Sequence, residues 1–222
     1  MIRKAPDCET VCDMVEALSA YPEEALQRVA DFGTKLEVYD EDSGDTYPNY
    51  MEALEHPQVV GSFNGAANVL GMEDDNLSPF VLLHEFAHAL DLSMGEVSET
   101  PEWKGGHQAA WRTNQVVRDY AKVSPSEYFA ENTSAFLVDE DSMYELVEEG
   151  LREGIAINGM DEREYYRTHQ NFSNNRVKNV DPMGYQLVDN MLDSISEMSA
   201  PTEQPAMNEA QYTEFLKTLE NS

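Results

Sequence analysis

Two histidines spaced four residues apart, His84 and His88, restrict the local fold more than any other feature of the sequence. Residues at this spacing project from the same face of an α-helix, so both imidazoles can reach a single point only if the segment is helical. Ser78-Pro79 supplies an N-cap and a first helical position, which predicts a helix from there to about Leu92. The opposite face of this helix is expected to face the core and carries Leu82, Phe86, Ala89, Leu90 and Ser93.

A glutamate between two such histidines is typical of a catalytic zinc site. Zinc in these sites takes three protein ligands and keeps one position for water. Glu85 directly follows the first histidine, so it would take a proton from the water and pass it to a leaving amine. From these residues alone a simpler interpretation stays open, in which two solvated histidines flank a glutamate and no metal is bound.

The third zinc ligand has to come from another part of the chain. Asp91 and Met94 stand where the three-histidine zinc motif requires glycine and histidine, so that class is excluded. Glu127 and Glu131 lie one turn apart on a later helix, which we expect to begin at Ser124-Pro125. One carboxylate would bind zinc, and the other would accept the N–H of a ligand histidine. Glu127 could instead be the far end of a capping box that starts at the same serine.

Four further side chains near the motif have alternative interpretations. Asp91 lies near a helix C-terminus, where negative charge is unfavourable, so we expect it to bond a ligand histidine or cap a neighbouring loop. His107 could contact substrate, although an ordinary surface position is the simpler prediction. Trp103 and Trp111 lie on a helix expected from Pro101 to about Lys122, and we predict that both serve the core.

Two blocks of the sequence resemble the gluzincin metallopeptidases. His84 to Asp91 reads HEFAHALD and Tyr120 to Glu131 reads YAKVSPSEYFAE. In these blocks the chain is similar to the anthrax lethal factor catalytic domain, the proline-proline endopeptidases and Mlc titration factor A. The resemblance covers about residues 55–140 and implies a zincin-like fold and a zinc-dependent endopeptidase.

The resemblance also implies roles for three individual residues. Glu127 would be the third zinc ligand, Glu131 would support a ligand histidine, and Tyr120 would stabilise the oxyanion of the tetrahedral intermediate. Without the resemblance, Glu131 could be a solvated helix residue and Tyr120 a core residue.

A peptide or protein substrate would then bind as an extended strand along a β-hairpin expected over residues 59–72, because related zincins bind peptides by adding a strand. The predicted turn of this hairpin is Asn64-Gly65. Two other interpretations stay open: a peptidase-like binding or regulatory protein, as in the Mlc titration factor A group, and a virion-associated structural protein. In either, the zinc site would be vestigial or structural.

The order of the predicted elements favours an α+β fold. Two short helices closed by Gly33 precede a strand at Lys35 to Tyr39, and the hairpin comes before a mostly helical C-terminal half. We therefore expect a small mixed sheet with an edge hairpin over the active-site helix. A single domain would span residues 1–200, with N-terminal helices in 1–33 and the catalytic core in 55–140. Residues 201–222 would form a linker and a terminal helix.

The charge balance excludes two classes of partner. The 222 residues include 43 acidic and 14 basic side chains, for a net charge of −29, which would repel nucleic acid and anionic membranes. High acidity also fits a solubility adaptation, for instance to high salt. The segment at Met1 lacks signal-peptide features, so we expect a cytoplasmic protein, with leaderless export or virion association still open. Cys8 and Cys12 are interpreted as idle thiols, and the oligomeric state is not determined by the sequence.

Overall fold

The computed structural model describes residues 8–39, 61–73, 79–139 and 172–208, together with residues 210, 211, 214 and 217. The chain divides into two compact units, Met1–Gly95 with Ser199–Ser222, and Glu96–Met198. The described residues form three strands and seven α-helices, which confirms the α+β class. Residues 140–171 of the C-terminal half, which is expected to be mostly helical, and most of the terminal helix lie outside the described residues.

The first unit contains a small mixed sheet and three helices. Strand β3 (Val69–Glu73) lies in the centre of the sheet, paired in parallel with β1 (Lys35–Tyr39) and antiparallel with β2 (Gly61–Asn64). The sheet is therefore mixed, as predicted, and β2 lies at an edge of the described sheet. In chain order the elements are α1 (Cys8–Leu18), α2 (Glu23–Phe32), β1 (Lys35–Tyr39), β2 (Gly61–Asn64), β3 (Val69–Glu73) and α3 (Pro79–Ser93).

The hairpin turn between β2 and β3 differs from the prediction. Asn64 still pairs with Val69 in the ladder, so the loop contains residues 65–68 instead of a two-residue Asn64-Gly65 turn. The Asn64 side chain accepts a hydrogen bond from the backbone N–H of Ala67 at 3.0 Å, which closes the loop. Asn68 takes the left-handed conformation with φ of 54°, a conformation that asparagine tolerates better than most residues.

Helix α3 is packed against both the sheet and the N-terminal helices. Strand β2 approaches it so closely at Gly61 that a Cβ there would lie 2.6 Å from Cγ1 of Val81. The buried Tyr21 hydroxyl donates to the carbonyl oxygen of Leu83 at 2.7 Å, and its ring lies 4.6 Å from that of Phe86. Burial raises the pKa of Tyr21 well above its usual value, so this donor keeps its proton. These contacts fix the helix that carries the histidine pair.

The segment at residues 201–208, where a linker is expected to begin, is hydrogen-bonded to other parts of the first unit. The backbone N–H of Gln204 donates to the carbonyl oxygen of Phe32 at 2.9 Å, and its side chain donates to that of Gly65 at 3.0 Å. The backbone N–H of Met207 donates to the carbonyl oxygen of Ala67 at 3.0 Å. The segment therefore contacts the end of α2 and the β2–β3 loop. The domain boundary at residue 200 stays a prediction.

All the elements described in the second unit are helical. Its α-helices are α4 (Pro101–Thr113), α5 (Pro125–Leu137), α6 (Asn174–Val180) and α7 (Pro182–Ser194), with 3₁₀ helices at Val97–Glu99, Asp119–Lys122 and Ile195–Glu197. Among the described residues, no helix of either unit is long and apolar enough to cross a membrane.

Helix α4 is shorter than predicted, and only one of its tryptophans is in the core. The helix ends at Thr113 because Asn114 is left-handed, with φ of 58°. Trp103 is buried and its ring lies 4.7 Å from that of Phe129. The core prediction for Trp111 is wrong, because this side chain is 60% exposed. Eight residues on an α-helix amount to about 800°, which leaves the two side chains about 80° apart around the axis.

Candidate metal centre

The histidine pair lies on α3, whose opposite face is buried as predicted. His84 is buried and His88 is half-buried. All five residues expected on the core-facing side are buried. Four of them are apolar, and the fifth is a serine in the last turn: Leu82, Phe86, Ala89, Leu90 and Ser93. Packing on one side of the helix therefore directs the two imidazoles to the other side.

The two imidazoles are directed at a common point. Their Nε2 atoms lie 3.2 Å apart, with the ring planes at 81° to each other. Two nitrogens bound to one tetrahedral zinc, each at 2.0–2.1 Å from the metal, would be about 3.3 Å apart. A hydrogen bond between one ring N–H and the other ring nitrogen has a similar length. The spacing of His84 and His88 therefore fits zinc without adjustment of the helix.

Two acidic side chains accompany the histidines on α3. Glu85 is half-buried and follows His84 directly, about 100° further around the helix. Asp91 is only 4% exposed and lies three residues after His88, so it shares the face of the pair. A buried carboxylate at the end of a helix is costly unless something binds it. The two roles expected for Asp91 stay predictions.

Glu127 lies in the first turn of α5. The Ser124 hydroxyl accepts a hydrogen bond from the backbone N–H of Glu127 at 3.0 Å, which confirms the predicted cap. This bond uses the peptide group of Glu127 and not its carboxylate. The serine cap and a metal-binding role are therefore compatible, and the half-buried carboxylate also suits the positive end of the helix dipole.

Glu131, one turn further along α5, is fully buried, so its interpretation as a solvated residue is wrong. Arg118 donates from Nε to one carboxylate oxygen of Glu131 at 2.6 Å and from Nη2 to the other. The pairing with a ligand histidine stays a prediction. Sequence reasoning missed Arg118. A glutamate inside a fold needs a cation, and only 14 residues of the chain are lysine or arginine, so the set of possible partners was small.

Tyr120 lies in the Asp119–Lys122 3₁₀ helix and is half exposed, at 50%. Its interpretation as a core residue is therefore wrong, because the buried residue of that turn is Ala121. A tyrosine hydroxyl is a group that can donate a hydrogen bond. Its predicted role at the oxyanion is not tested by this geometry.

His107 is more constrained than a surface histidine. Its Nε2 lies 3.1 Å from the carbonyl oxygen of Lys122, where a ring N–H can donate. The imidazole is half-buried and its centroid lies 5.8 Å from that of Tyr128. His107 therefore joins α4 to the end of the 3₁₀ helix that carries Tyr120.

A buried carboxylate in the second unit makes a specific pH dependence testable. Asp181, 2% exposed, caps α7 by accepting a hydrogen bond from the N–H of Gly184 at 2.9 Å. Burial raises the pKa of Asp181, and the bond from Gly184 only partly opposes this. The pKa of the neighbouring Tyr128 is raised by burial and by Asp181 itself. Above a pH of about 4, Asp181 is therefore ionised in the unfolded protein while it still holds its proton in the folded protein.

We expect the folded protein to lose stability as pH rises through this window, and the Asp181→Asn variant to lack that component. The slope attributable to one proton is at most about 1.4 kcal/mol per pH unit. An asparagine oxygen still accepts from Gly184, so the cap is retained. Urea unfolding of both proteins between about pH 4 and 7 measures the difference. Identical pH dependence in the two proteins would contradict the expected ionisation of Asp181.

Comparison with known proteins identifies a structural relative. The chain matches no protein-family model and no curated protein. Among solved structures it is similar to that of the PRO-PRO endopeptidase PPEP-2 from Paenibacillus alvei, with a TM-score of 0.53 and 16% sequence identity. The match covers 86% of this chain and 95% of the other. At this identity the likeness establishes the fold, and it confirms the zincin-like α+β class.

Proposed function

We propose that this protein is a zinc-dependent endopeptidase of the gluzincin type, with zinc held by His84, His88 and Glu127. The observation that carries the proposal is the 3.2 Å approach of the two Nε2 atoms on α3, with Glu85 between the histidines. The fold likeness to a solved endopeptidase is compatible with this activity, although the argument for it rests on the site.

Each proposed ligand is of a type that suits zinc. Two imidazoles and a carboxylate leave one position for water in a catalytic site. When bound, zinc would supply Lewis-acid chemistry and activate water near neutral pH. Glu127 offers a carboxylate at a helix start whose backbone is already fixed by Ser124, so little ordering is needed for it to act as a ligand.

Two side chains would carry the proton transfer and charge stabilisation. Glu85 would take the proton from the attacking water and give it to the amine that leaves when the peptide bond breaks. Tyr120 would donate a hydrogen bond to the carbonyl oxygen as negative charge develops on it. The 50% exposure of Tyr120 is compatible with this assignment, since a substrate could reach a side chain that lies at the surface.

Two buried carboxylates would orient the ligand histidines. Asp91 shares a helix face with them, and the resemblance to the gluzincins implies this role for Glu131. A carboxylate offers about four lone-pair positions. Glu131 can therefore accept an imidazole N–H in addition to the two bonds from Arg118.

The proposed substrate is a peptide or protein bound in extended form along β2. In the described sheet, β2 is paired only with β3, and it packs against α3 at Gly61. A strand added at its other edge would gain backbone hydrogen bonds close to the helix that carries Glu85. The negative charge of the chain would attract cationic peptides. The proline specificity in the name of the structural relative is not part of the proposal.

Metal analysis together with peptide cleavage tests the proposed function. We expect the purified protein to hold about one zinc ion per chain and to cleave members of a diverse peptide library. A chelator should abolish cleavage and added zinc should restore it. Zinc without cleavage would favour a binding or structural protein, and absence of both would exclude the proposal.

A further inference from the structure

Arg118 makes a two-bond ion pair with a buried carboxylate in the second unit. Its guanidinium donates to both oxygens of the Glu131 carboxylate, with 2.6 Å from Nε to Oε2. The Glu131 side chain is completely buried, and that of Arg118 is 21% exposed. The guanidinium also lies over the ring of the buried Phe172, 4.6 Å from its centroid. Two bonds and one stacking contact therefore hold Arg118 in a single orientation.

This pair is suited to fixing geometry. A bidentate arginine–carboxylate contact sets both distance and angle, and the planar guanidinium stacks on an aromatic ring in a way that an ammonium group does not. Removing one partner would leave a buried charge without compensation. The contact therefore resists small displacements better than an exposed ion pair does.

The pair connects two segments that carry proposed functional residues. Arg118 is the residue before the Asp119–Lys122 3₁₀ helix, and Tyr120 is two residues further on. Glu131 lies one turn after Glu127 on α5, so the two glutamates share a face of that helix. The arginine thus ties the segment of Tyr120 to the helix face of Glu127.

The 3₁₀ helix itself needs such a support. Short 3₁₀ helices have poor hydrogen-bond geometry and little stability of their own. The turn is closed by backbone bonds from Ala121 to Arg118 and from Val123 to Tyr120, at 3.1 and 3.0 Å. His107 holds its far end through the carbonyl oxygen of Lys122. The turn also contains an ion pair between Lys122 and the exposed Asp119, whereas the contact of Arg118 is made to a fully buried carboxylate.

We propose that Arg118 is a positioning residue, which holds Tyr120 in one place relative to Glu127 through its contact with Glu131. The inference rests on the proposed function, because it gives the fixed position of Tyr120 a role in peptide hydrolysis. Arg118 acts through the tyrosine and does not contact the substrate. Misplacement of a catalytic group by about 1 Å can cost about 100-fold in rate, so the support affects the rate directly.

The kinetic test combines Arg118→Lys with Tyr120→Phe. Lysine keeps the charge opposite Glu131 but cannot reproduce the bidentate contact. We expect Arg118→Lys to lower kcat about 10- to 100-fold, with KM and zinc content close to wild type. In the Tyr120→Phe background the same change should lower kcat less than about 2-fold, because the positioned group is already gone. Arg112→Lys, an exposed arginine of α4, is the matched control and should behave like wild type.

Equal losses in both backgrounds would overturn the proposal, since Arg118 would then act independently of Tyr120. Hydrogen exchange supplies a readout that does not depend on cleavage. The amides of Ala121 and Val123 should exchange about 10-fold faster in Arg118→Lys than in wild type. Unchanged exchange would overturn the positioning role of Arg118, whether or not the wild-type protein cleaves peptides. Absence of cleavage by the wild-type protein would count separately, against the proposed function.

A second variant covers failure of Arg118→Lys to fold. The double variant Arg118→Gln with Glu131→Gln leaves no buried charge uncompensated, so the fold is expected to persist. Its amides at Ala121 and Val123 should again exchange about 10-fold faster. Wild-type exchange in the folded double variant would show that the ion pair does not hold this turn.

Discussion

The Glu85→Gln variant should keep its zinc and lose peptide cleavage by about 10²–10⁴-fold, the usual contribution of a general base. Glutamine has the size of glutamate and can still accept a hydrogen bond, but it cannot take a proton from water. Glu85 is half-buried beside His84 and is not one of the proposed ligands, so metal binding should be unaffected. Zinc content and kcat/KM on the same peptide, measured side by side, check both parts of the expectation.

A matched control for this change is Glu24→Gln, an exposed glutamate in the first turn of α2. It removes one negative charge from the same unit and should leave cleavage at the wild-type level. Full activity of Glu85→Gln would contradict the mechanism. Loss of zinc together with activity would instead show that Glu85 supports the metal, and a structural or binding role for the site would then gain weight.

The parts of the fold that depend on local patterns could be predicted from the sequence. Helix α3 was recognisable because its apolar residues recur at helical spacing and Pro79 marks its start. The cap at Ser124 was also predictable from a local pattern. A serine directly before a proline can accept a hydrogen bond from a backbone N–H in the first turn of the helix that follows. The two histidines proposed as metal ligands lie on α3, so this part of the proposed site follows from the sequence alone.

Features that depend on a single backbone conformation were predicted less well. Helix α4 ends at Thr113 because Asn114 adopts a left-handed conformation, whereas the sequence predicts a helix to about Lys122. In the hairpin, the strand register pairs Asn64 with Val69, so the loop is longer than the predicted Asn64-Gly65 turn and Asn68 takes the left-handed conformation. Register depends on which side chains are buried across the sheet, and that is not local information.

Contacts between distant segments could not be predicted. Gln204 bonds to Phe32 and Gly65, far away in the sequence, and nothing in the composition around Gln204 indicates those partners. Glu131 and Arg118 are closer, but they lie on different elements and no periodic pattern links them. Burial of Glu131 required its partner to exist, yet only the folded chain shows which cation it is.

The Glu127→Gln variant should bind zinc more than 100-fold more weakly than the wild-type protein. An amide oxygen carries no charge and is a weaker zinc ligand than a carboxylate. Loss of a group that merely supports a ligand already costs about 10- to 100-fold, so loss of a ligand should cost more. Glutamine keeps the backbone N–H that binds Ser124, so α5 should start normally. Competition with a chelator measures the zinc affinity, and the zinc-dependent rise in Tm gives a second measure.

Glu102→Gln is the control that isolates the role of the ligand. Glu102 also lies in the first turn of a helix that begins with proline, so both changes remove a charge that favours the helix dipole. Unchanged zinc affinity in Glu127→Gln, with loss in Glu131→Gln, would assign the third ligand to Glu131. The structure argues against that assignment, because the Glu131 carboxylate already accepts two bonds from Arg118, and zinc would compete with the guanidinium for the same oxygens. The serine cap of α5 does not bear on this question, because it uses the backbone N–H of Glu127 and not its carboxylate.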